Sequence, residues 1–420
     1  MQPGSCGVPF TAKDVIATAG TTTTCGSSVF ADHVPDTDAT AVARLRAAGA
    51  ILIAKTNCPE FAFGITTDSP VLGTTHNPWG PHSPGGSSGG EAALVAVGAS
   101  ALGLGTDYGG SLRWPAQCCG VLALRPGLGR VDGTGQLPAA RGRMDGRAAD
   151  APQTVSVQRY FQVIGPIART VRDLAIAFSV IAGVPYPGAP GAGPEAAVIG
   201  ELTVGWTATD ASEHVAVAIQ RVITTAVTTL AARGVTVAHT PDLLDGLHSA
   251  FNELRATDGL ADLKAAVTNA ARPLNAQTRA ILDAAPASTA DSAPLWARVA
   301  ELRAGVFRQL KRTPVVLVPV APSPACDLQG VAVVDGKPVH GFGLMAQCRA
   351  VSALGVPALS IPAGQVDGLP VSVQILAAPG REDLALTVGR MLEELLGGYQ
   401  PPPWLASSQS LISTTPEDPS

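Results

Sequence analysis

The sequence predicts a layered α/β fold with a largely buried sheet, and three observations carry that prediction. Short β-rich apolar runs alternate with helix-compatible segments along the whole 420 residues. Hydrophobic residues make up 46% and charged residues 15% of the chain, enough to bury a large core and too apolar for a disordered or fibrous protein. Runs such as Val315-Val-Leu-Val-Pro are apolar throughout, as a strand is when helices cover both faces of its sheet. One large domain and two smaller ones both fit this length.

The elements follow in order. Residues 38–49 place Ala, Val and Leu on one helical face, and Ile51-Leu-Ile-Ala then reads as a buried strand. The spacing predicts a helix over 94–101, a strand over 155–163 and a helix over 173–182, closed by a Pro/Gly-rich loop over 183–193. Leu202-Thr-Val-Gly-Trp reads as a strand and 215–233 as a long amphipathic helix, while 250–310 is mostly helix-compatible and carries no motif. Val315-Val-Leu-Val-Pro, Ala358-Leu-Ser-Ile-Pro and Val371-Ser-Val-Gln-Ile-Leu read as strands, and 384–396 as a closing helix. From Gly397 on, Pro401-Pro-Pro and Ser/Thr-rich residues predict a mobile tail. No internal repeat is evident.

Composition narrows the function classes. The net charge of -5, without any long Lys/Arg tract, leaves no electrostatic footprint for nucleic acid or an anionic membrane and directs attention to small metabolites or peptides. The apolar run 92–105 contains glycines and falls short of the roughly 20 residues that a membrane span needs. Residues 1–9 lack a charged region followed by an apolar one, so a cytoplasmic location is the expectation. The seven cysteines are scattered, with no C-x-x-C and no histidine at ligand spacing, and read as reduced, buried thiols. Histidines are equally dispersed, so neither a metal nor any other cofactor is expected.

Two glycine-embedded serine sites, Ser83-Pro-Gly-Gly-Ser-Ser-Gly-Gly-Glu and Gly105-Thr-Asp-Tyr-Gly-Gly-Ser-Leu-Arg-Trp-Pro, flank one small-residue apolar stretch. Glycines crowd a site where backbone must turn sharply or present bare N–H groups. A serine there becomes a nucleophile once it has a proton acceptor and an oxyanion site. No Gly-x-Ser-x-Gly elbow with a downstream acid and histidine stands out, so the base is missing from the serine motifs. Lys13, amid apolar and small residues, is a candidate, because burial lowers a lysine pKa. On composition alone the plainer alternatives stand: most lysines lie at a surface, Ser87 and Ser88 read as loop residues, and Ser111 as a cap.

Gly7-Val-Pro-Phe-Thr-Ala-Lys13-Asp, Lys55-Thr-Asn, Asn77-Pro-Trp and the two serine motifs together resemble, in order, the amidase signature family. The likeness continues through Gly120-Val-Leu-Ala-Leu-Arg-Pro, Gly165-Pro-Ile-Ala-Arg-Thr-Val-Arg-Asp, Gly355-Val-Pro-Ala-Leu-Ser-Ile-Pro-Ala-Gly and Gly368-Leu-Pro-Val-Ser-Val-Gln. It implies a single α/β/α layered domain with a mixed central sheet over 1–396. Within it lie a catalytic core at 7–183, a less well matched helical region at 185–315 and a C-terminal sheet part at 316–396, followed by the tail 397–420.

The resemblance also implies roles. Ser111 would be the nucleophile, Ser87, preceded by a cis peptide, the proton carrier, and Lys13 the base. Backbone N–H groups of Tyr108, Gly109, Gly110 and Ser111 would form the oxyanion hole, and Ser88 would support Lys13. Ala62, Phe63, Gly64 and Ile65 lie on a segment that lines the acyl pocket in relatives, although plain core packing also suits Phe63. Lys55 would be structural, Asp107 and Arg113 an ion pair shaping the nucleophile loop, and Glu60 and Glu91 structural or solvent-facing. The implied substrate is a small-molecule amide, cleaved to an acid and ammonia or an amine, and homodimers are common among members. A glutaminase subunit of a tRNA-dependent amidotransferase, and an acyl transferase using the same acyl-enzyme, are the alternatives.

The pattern is not followed everywhere. Members usually carry several dozen helical residues before the lysine motif, whereas here the lysine is residue 13. Tyr160 and Gln162 stand where Ser and Asp are frequent, Ser352 replaces a common Asn, and Cys118 a frequent aromatic residue.

Overall fold

In the computed structural model, residues 7–137, 156–185, 202–209, 214–286 and 292–405 are described. The strands are β1 Pro9–Lys13, β2 Ile51–Thr56, β3 Asp68–Ser69, β4 Gly73–Thr74, β5 Leu102–Asp107, β6 Leu122–Arg125 and β7 Val163–Ala168. Then come β8 Thr203–Trp206, β9 Thr236–His239, β10 Val315–Pro319, β11 Val331–Val334, β12 Lys337–His340, β13 Ala358–Val366 and β14 Leu369–Ala377. Ten of them join one sheet in the order β2-β1-β5-β7-β6-β13-β14-β10-β8-β9, leaving β3–β4 and β11–β12 as two-stranded pieces. The sheet is mixed: β1 runs parallel to β2 and β5, β7 antiparallel to β5 and β6, and β13 antiparallel to β6 and β14.

The central strands are buried along their whole length, including the polar Thr106 and Asp107 at the end of β5 and Ser372 and Gln374 in β14. Gly105 shows how the sequence permits helices to lie so close. A Cβ there would come within 2.8 Å of Leu112 Cδ2 and 2.9 Å of Ser88 Oγ, so only glycine lets the serine loop rest directly on β5. The helix Val171–Ala182 begins where the Thr170 hydroxyl accepts the Asp173 N–H, which satisfies one of its free donors.

Most of the expected elements are present, including the helices Val217–Ala232 and Glu382–Leu396. Four expectations need correction. Ile51-Leu-Ile-Ala is a strand but lies at the sheet edge, where Ile51 and Ile53 stay 55% and 49% exposed. The helix expected over 94–101 is Gly89–Ala96, because the serine-glycine loop itself turns into the first helical residues. Over 155–163 the apolar alternation belongs to a short helix, Val157–Phe161, capped by the Ser156 hydroxyl, and β7 starts after it. The tail is held further than expected: Tyr399 Oη donates to the Ala96 carbonyl and Trp404 Nε1 to the Pro78 carbonyl. Its remainder, 406–420, and most of the loop expected over 183–193 lie outside the described residues.

Among the described residues no helix is long and apolar enough to cross a membrane. The six cysteines among them are buried and none is joined in a disulfide with another of them; Cys6 lies outside.

Candidate active site

Neighbouring strands bring the site together. Lys13 ends β1, Thr106 lies on the adjacent β5, and Ser111 follows β5 in the turn before the helix Arg113–Cys119. Ser87 and Ser88 lead into the helix Gly89–Ala96, and the Gly86–Ser87 peptide is cis. The Ser88 N–H donates to the Ser111 carbonyl at 3.2 Å, so one backbone hydrogen bond joins the two serine loops.

Lys13 is completely buried and donates from Nζ to Ser87 Oγ at 2.7 Å, Thr106 Oγ1 at 2.9 Å and Ser88 Oγ at 3.1 Å. Burial is the largest influence on it and lowers its pKa to about 8; the carboxylates of Asp107 and Glu91 pull the other way without touching it. Thr106 has no place among the site residues expected from sequence, although it stands inside the second serine motif. Lys55, the other lysine near the strand ends, is committed to the Ile16 carbonyl and, at 3.1 Å, to Thr18 Oγ1. Its ammonium is thereby taken up in bracing the backbone.

The loop that carries Ser111 is shaped by a buried ion network. Asp107 accepts from Arg113 Nε at 3.0 Å and Nη2 at 2.9 Å, and from the N–H groups of Gly110 at 2.8 Å and Leu112 at 3.1 Å. Burial alone would raise the Asp107 pKa, but the Arg113 guanidinium outweighs it and the carboxyl falls to about 2. Arg113 continues to Ser352 Oγ at 2.8 Å and Gln374 Oε1 at 2.5 Å. The Gly110 N–H, expected in the oxyanion hole, is thus aimed at Asp107. The N–H groups of Tyr108, Gly109 and Ser111 have no hydrogen-bond acceptor among the described residues.

A pocket lined by Ser87, Thr106, Tyr108, Gly109 and Ser111 opens beside this loop, and Ala62, Phe63 and Gly64 form part of its wall. Ile65 does not reach it; it is buried instead, and its carbonyl accepts from Trp114 Nε1 at 2.9 Å. Glu60 and Glu91 are both buried rather than solvent-facing. Glu60 accepts from Ser27 Oγ at 2.6 Å and the Asn275 N–H at 3.0 Å, tying the wall segment to the helix Ala276–Ala284. Glu91 accepts from the hydroxyls of Thr11 and Thr56.

Beyond this pocket lies an outer chamber of about 480 Å³, which shares Phe63, Tyr108, Gln158, Arg255 and Phe342 with it. Gln162, Met345 and Arg349 complete the inner wall. Gln162 stands out in the sequence as a departure from the family pattern, but Gln158, Arg255, Phe342, Met345 and Arg349 were not expected. They come from helices and turns without a motif, and no glycine or serine signal marks them. Among the described residues no group of three or more His, Cys, Asp or Glu side chains stands ready to hold a metal ion.

A mixed α/β sheet of this order, with two serine loops closing on a buried lysine, defines an enzyme class that acts on the C–N bond of amides. The chain belongs to the Amidase family, whose model matches residues 2–386. It is similar to a glutamyl-tRNA(Gln) amidotransferase subunit of Roseiflexus castenholzii, with 32% identity over 428 residues, 91% of this chain and 81% of that protein. The corresponding protein of Roseiflexus sp. is 49% identical over 178 residues, which span 42% of this chain and only 33% of that relative. A solved structure described as a crystal structure of amidase matches with a TM-score of 0.79 at 30% identity, covering 93% of this chain and 85% of that one.

Proposed function

We propose that the protein hydrolyses a carboxamide through an acyl-enzyme on Ser111, with Ser87 and Lys13 relaying protons. The carrying observation is the surroundings of Lys13 Nζ: three hydroxyl oxygens within 3.1 Å, complete burial and, among the described residues, no carboxylate in contact. A lysine held this way gives up its proton far more readily than one in water, with a pKa of about 8, and then offers a lone pair to Ser87.

Ser111 Oγ attacks the carbonyl carbon, its proton passes to Ser87 Oγ, and the Ser87 proton passes to the neutral Lys13 amine. The carbonyl oxygen, now negative, is held by the N–H groups of Tyr108, Gly109 and Ser111, and the Gly110 N–H fixes the loop through Asp107. Return of the proton through Ser87 to the amide nitrogen releases ammonia or an amine. Water then repeats the sequence on the ester and frees the acid. Ser88, bonded to Lys13 and to the Ser111 carbonyl, keeps donor and acceptor in register.

The test is a panel of primary and substituted amides assayed for ammonia or amine release, with a fluorophosphonate probe as the site-directed readout. Turnover by the wild type, its loss in Ser111→Ala and labelling confined to Ser111 are expected. Labelling of a different serine overturns the assignment.

A second reading, a glutaminase subunit that hands ammonia to a partner, draws on what the two Roseiflexus relatives are named. Release of ammonia from glutamine only when a companion protein is added would favour it. Turnover of other amides by the chain alone favours the first reading.

A further inference from the structure

The candidate catalytic pocket contains a buried cation whose hydrogen-bonding capacity the protein uses only in part. Arg349, on the helix Ala346–Leu354, is 6% exposed and lines the same pocket as Ser87 and Ser111. It donates from Nη1 to Asn252 Oδ1 at 2.7 Å, while its Nε is buried with no partner among the described residues. That Nε lies beside the nucleophile loop, 3.6 Å from where a Cβ on Gly109 would stand. Its guanidinium sits 4.0 Å from the centre of the Phe342 ring, and Arg255, from the helix Leu247–Ala256, approaches the same ring at 5.3 Å. Neither arginine has a carboxylate within 4.0 Å among the described residues.

Buried charges in proteins are ordinarily paired, because an unpaired one loses its hydration without compensation. Here Asn252 and the Phe342 ring compensate only in part, and the cation faces a cavity. The surrounding charges do not supply it. Asp258 is buried at the outer chamber, but its oxygens already accept the N–H groups of Gln158 at 2.9 Å and Leu260 at 3.0 Å. His248, on the helix of Arg255, is held neutral, its pKa lowered to about 4 by burial and then by Arg349. Two guanidiniums therefore oppose one committed carboxylate, in a chain whose net charge is -5. Tyr108 adds a further donor: its hydroxyl is buried, unpartnered among the described residues, and on the wall of both cavities.

We propose that the amide cleaved by this protein carries a carboxylate near the scissile carbonyl, bound by Arg349 with help from Arg255 and the Tyr108 hydroxyl. The inference rests on the amide-cleavage reading of Ser111 and adds the substrate class to it. A guanidinium fork matches a carboxylate with two parallel hydrogen bonds, and the Phe342 ring orients the cation without neutralising it. A neutral amide would leave Arg349 Nε and Tyr108 Oη unpaired in the closed complex, which is the usual basis of strong discrimination.

The experiment compares succinamate and glutaramate with their neutral counterparts succinamide and glutaramide, reading kcat/KM for the wild type, Arg349→Met and Arg255→Met. The wild type should prefer the anionic amides by about tenfold or more, and each variant should bring the ratio toward one. Because the ratio is internal to each protein, partial misfolding of a variant does not imitate the effect. Equal kcat/KM for both amide types in the wild type, or an unchanged ratio in both variants, overturns the proposal while leaving amide cleavage intact. If no amide is cleaved, calorimetric titration with succinate decides separately. Binding weakened about tenfold or more in Arg349→Met supports the anion site, and equal or absent binding overturns it.

Discussion

Lys13 Nζ lies 2.7 Å from Ser87 Oγ, and all three acceptors around that nitrogen are hydroxyl oxygens. Burial therefore acts on the ammonium with no contacting carboxylate to offset it, and the pKa drops from 10.5 to about 8. The proposed mechanism needs the neutral amine, so kcat/KM should rise with pH, pass its midpoint near 8 and level off above it. A pH profile that stays flat from mildly acidic to mildly alkaline conditions removes Lys13 as the base. Stability carries the matching signature. Between about 8 and 10.5 the unfolded chain holds a proton that the folded one has released, so stability gains from this group as pH rises through that window.

Lys13→Met tests the same pair by replacement. The methionine side chain fills the volume but has no proton to exchange with Ser87, and kcat should fall by about a hundred- to ten-thousand-fold. The thermal midpoint should stay level or rise, because replacing a buried charge by an apolar group of similar size is often neutral or stabilising. Amide turnover and a thermal melt on one preparation separate this outcome from simple unfolding, which would lower both.

The candidate triad was legible only through the resemblance to the amidase signature family: the glycine-embedded serines by themselves marked two sites of exposed backbone and left the base unassigned. The strands were legible where apolar runs had clear ends, as at Val315–Pro319. What was not legible depends on distant packing. Glu91 looks like a first-turn helix acid, and only the fold shows that its carboxyl is enclosed by Thr11 and Thr56. Arg255 and Arg349 look like surface arginines on amphipathic helices, and their place on the pocket wall follows from how those helices cross. Ile51 and Ile53 read as core because periodicity reports apolar character, not which strand ends the sheet.

Asp107 holds the Ser111 loop through Arg113 and the N–H groups of Gly110 and Leu112, all inside the protein. Asp107→Asn keeps the size but removes the charge, leaving the Arg113 cation buried with only neutral partners. Breaking one side of a buried pair costs about 3–5 kcal/mol, so the variant should show that loss in denaturant unfolding. Its kcat should fall as well, since the loop that presents Ser111 loses its anchor. Unchanged stability would mean that the pair contributes little beyond its hydrogen bonds.

Glu91 supplies the last prediction, and its sign is opposite to that of Lys13. Burial raises its pKa from 4.5 to about 7, while hydrogen bonds from Thr11 and Thr56 and the charges of Lys55 and Lys13 pull it back only in part. Between those two values the folded protein holds a proton that the unfolded chain has released. Stability must then decline as pH climbs from 4.5 to about 7, by up to about 3 kcal/mol if this group acted alone. Glu91→Gln cannot titrate, so the difference in unfolding free energy between wild type and variant should change with pH across that window and be constant above it. A difference independent of pH would mean that the carboxyl is ionised throughout. The charge would then stand against β5 at Gly103, where a Cβ would already approach Glu91 Oε2 to 2.5 Å and little room remains for water to reach it.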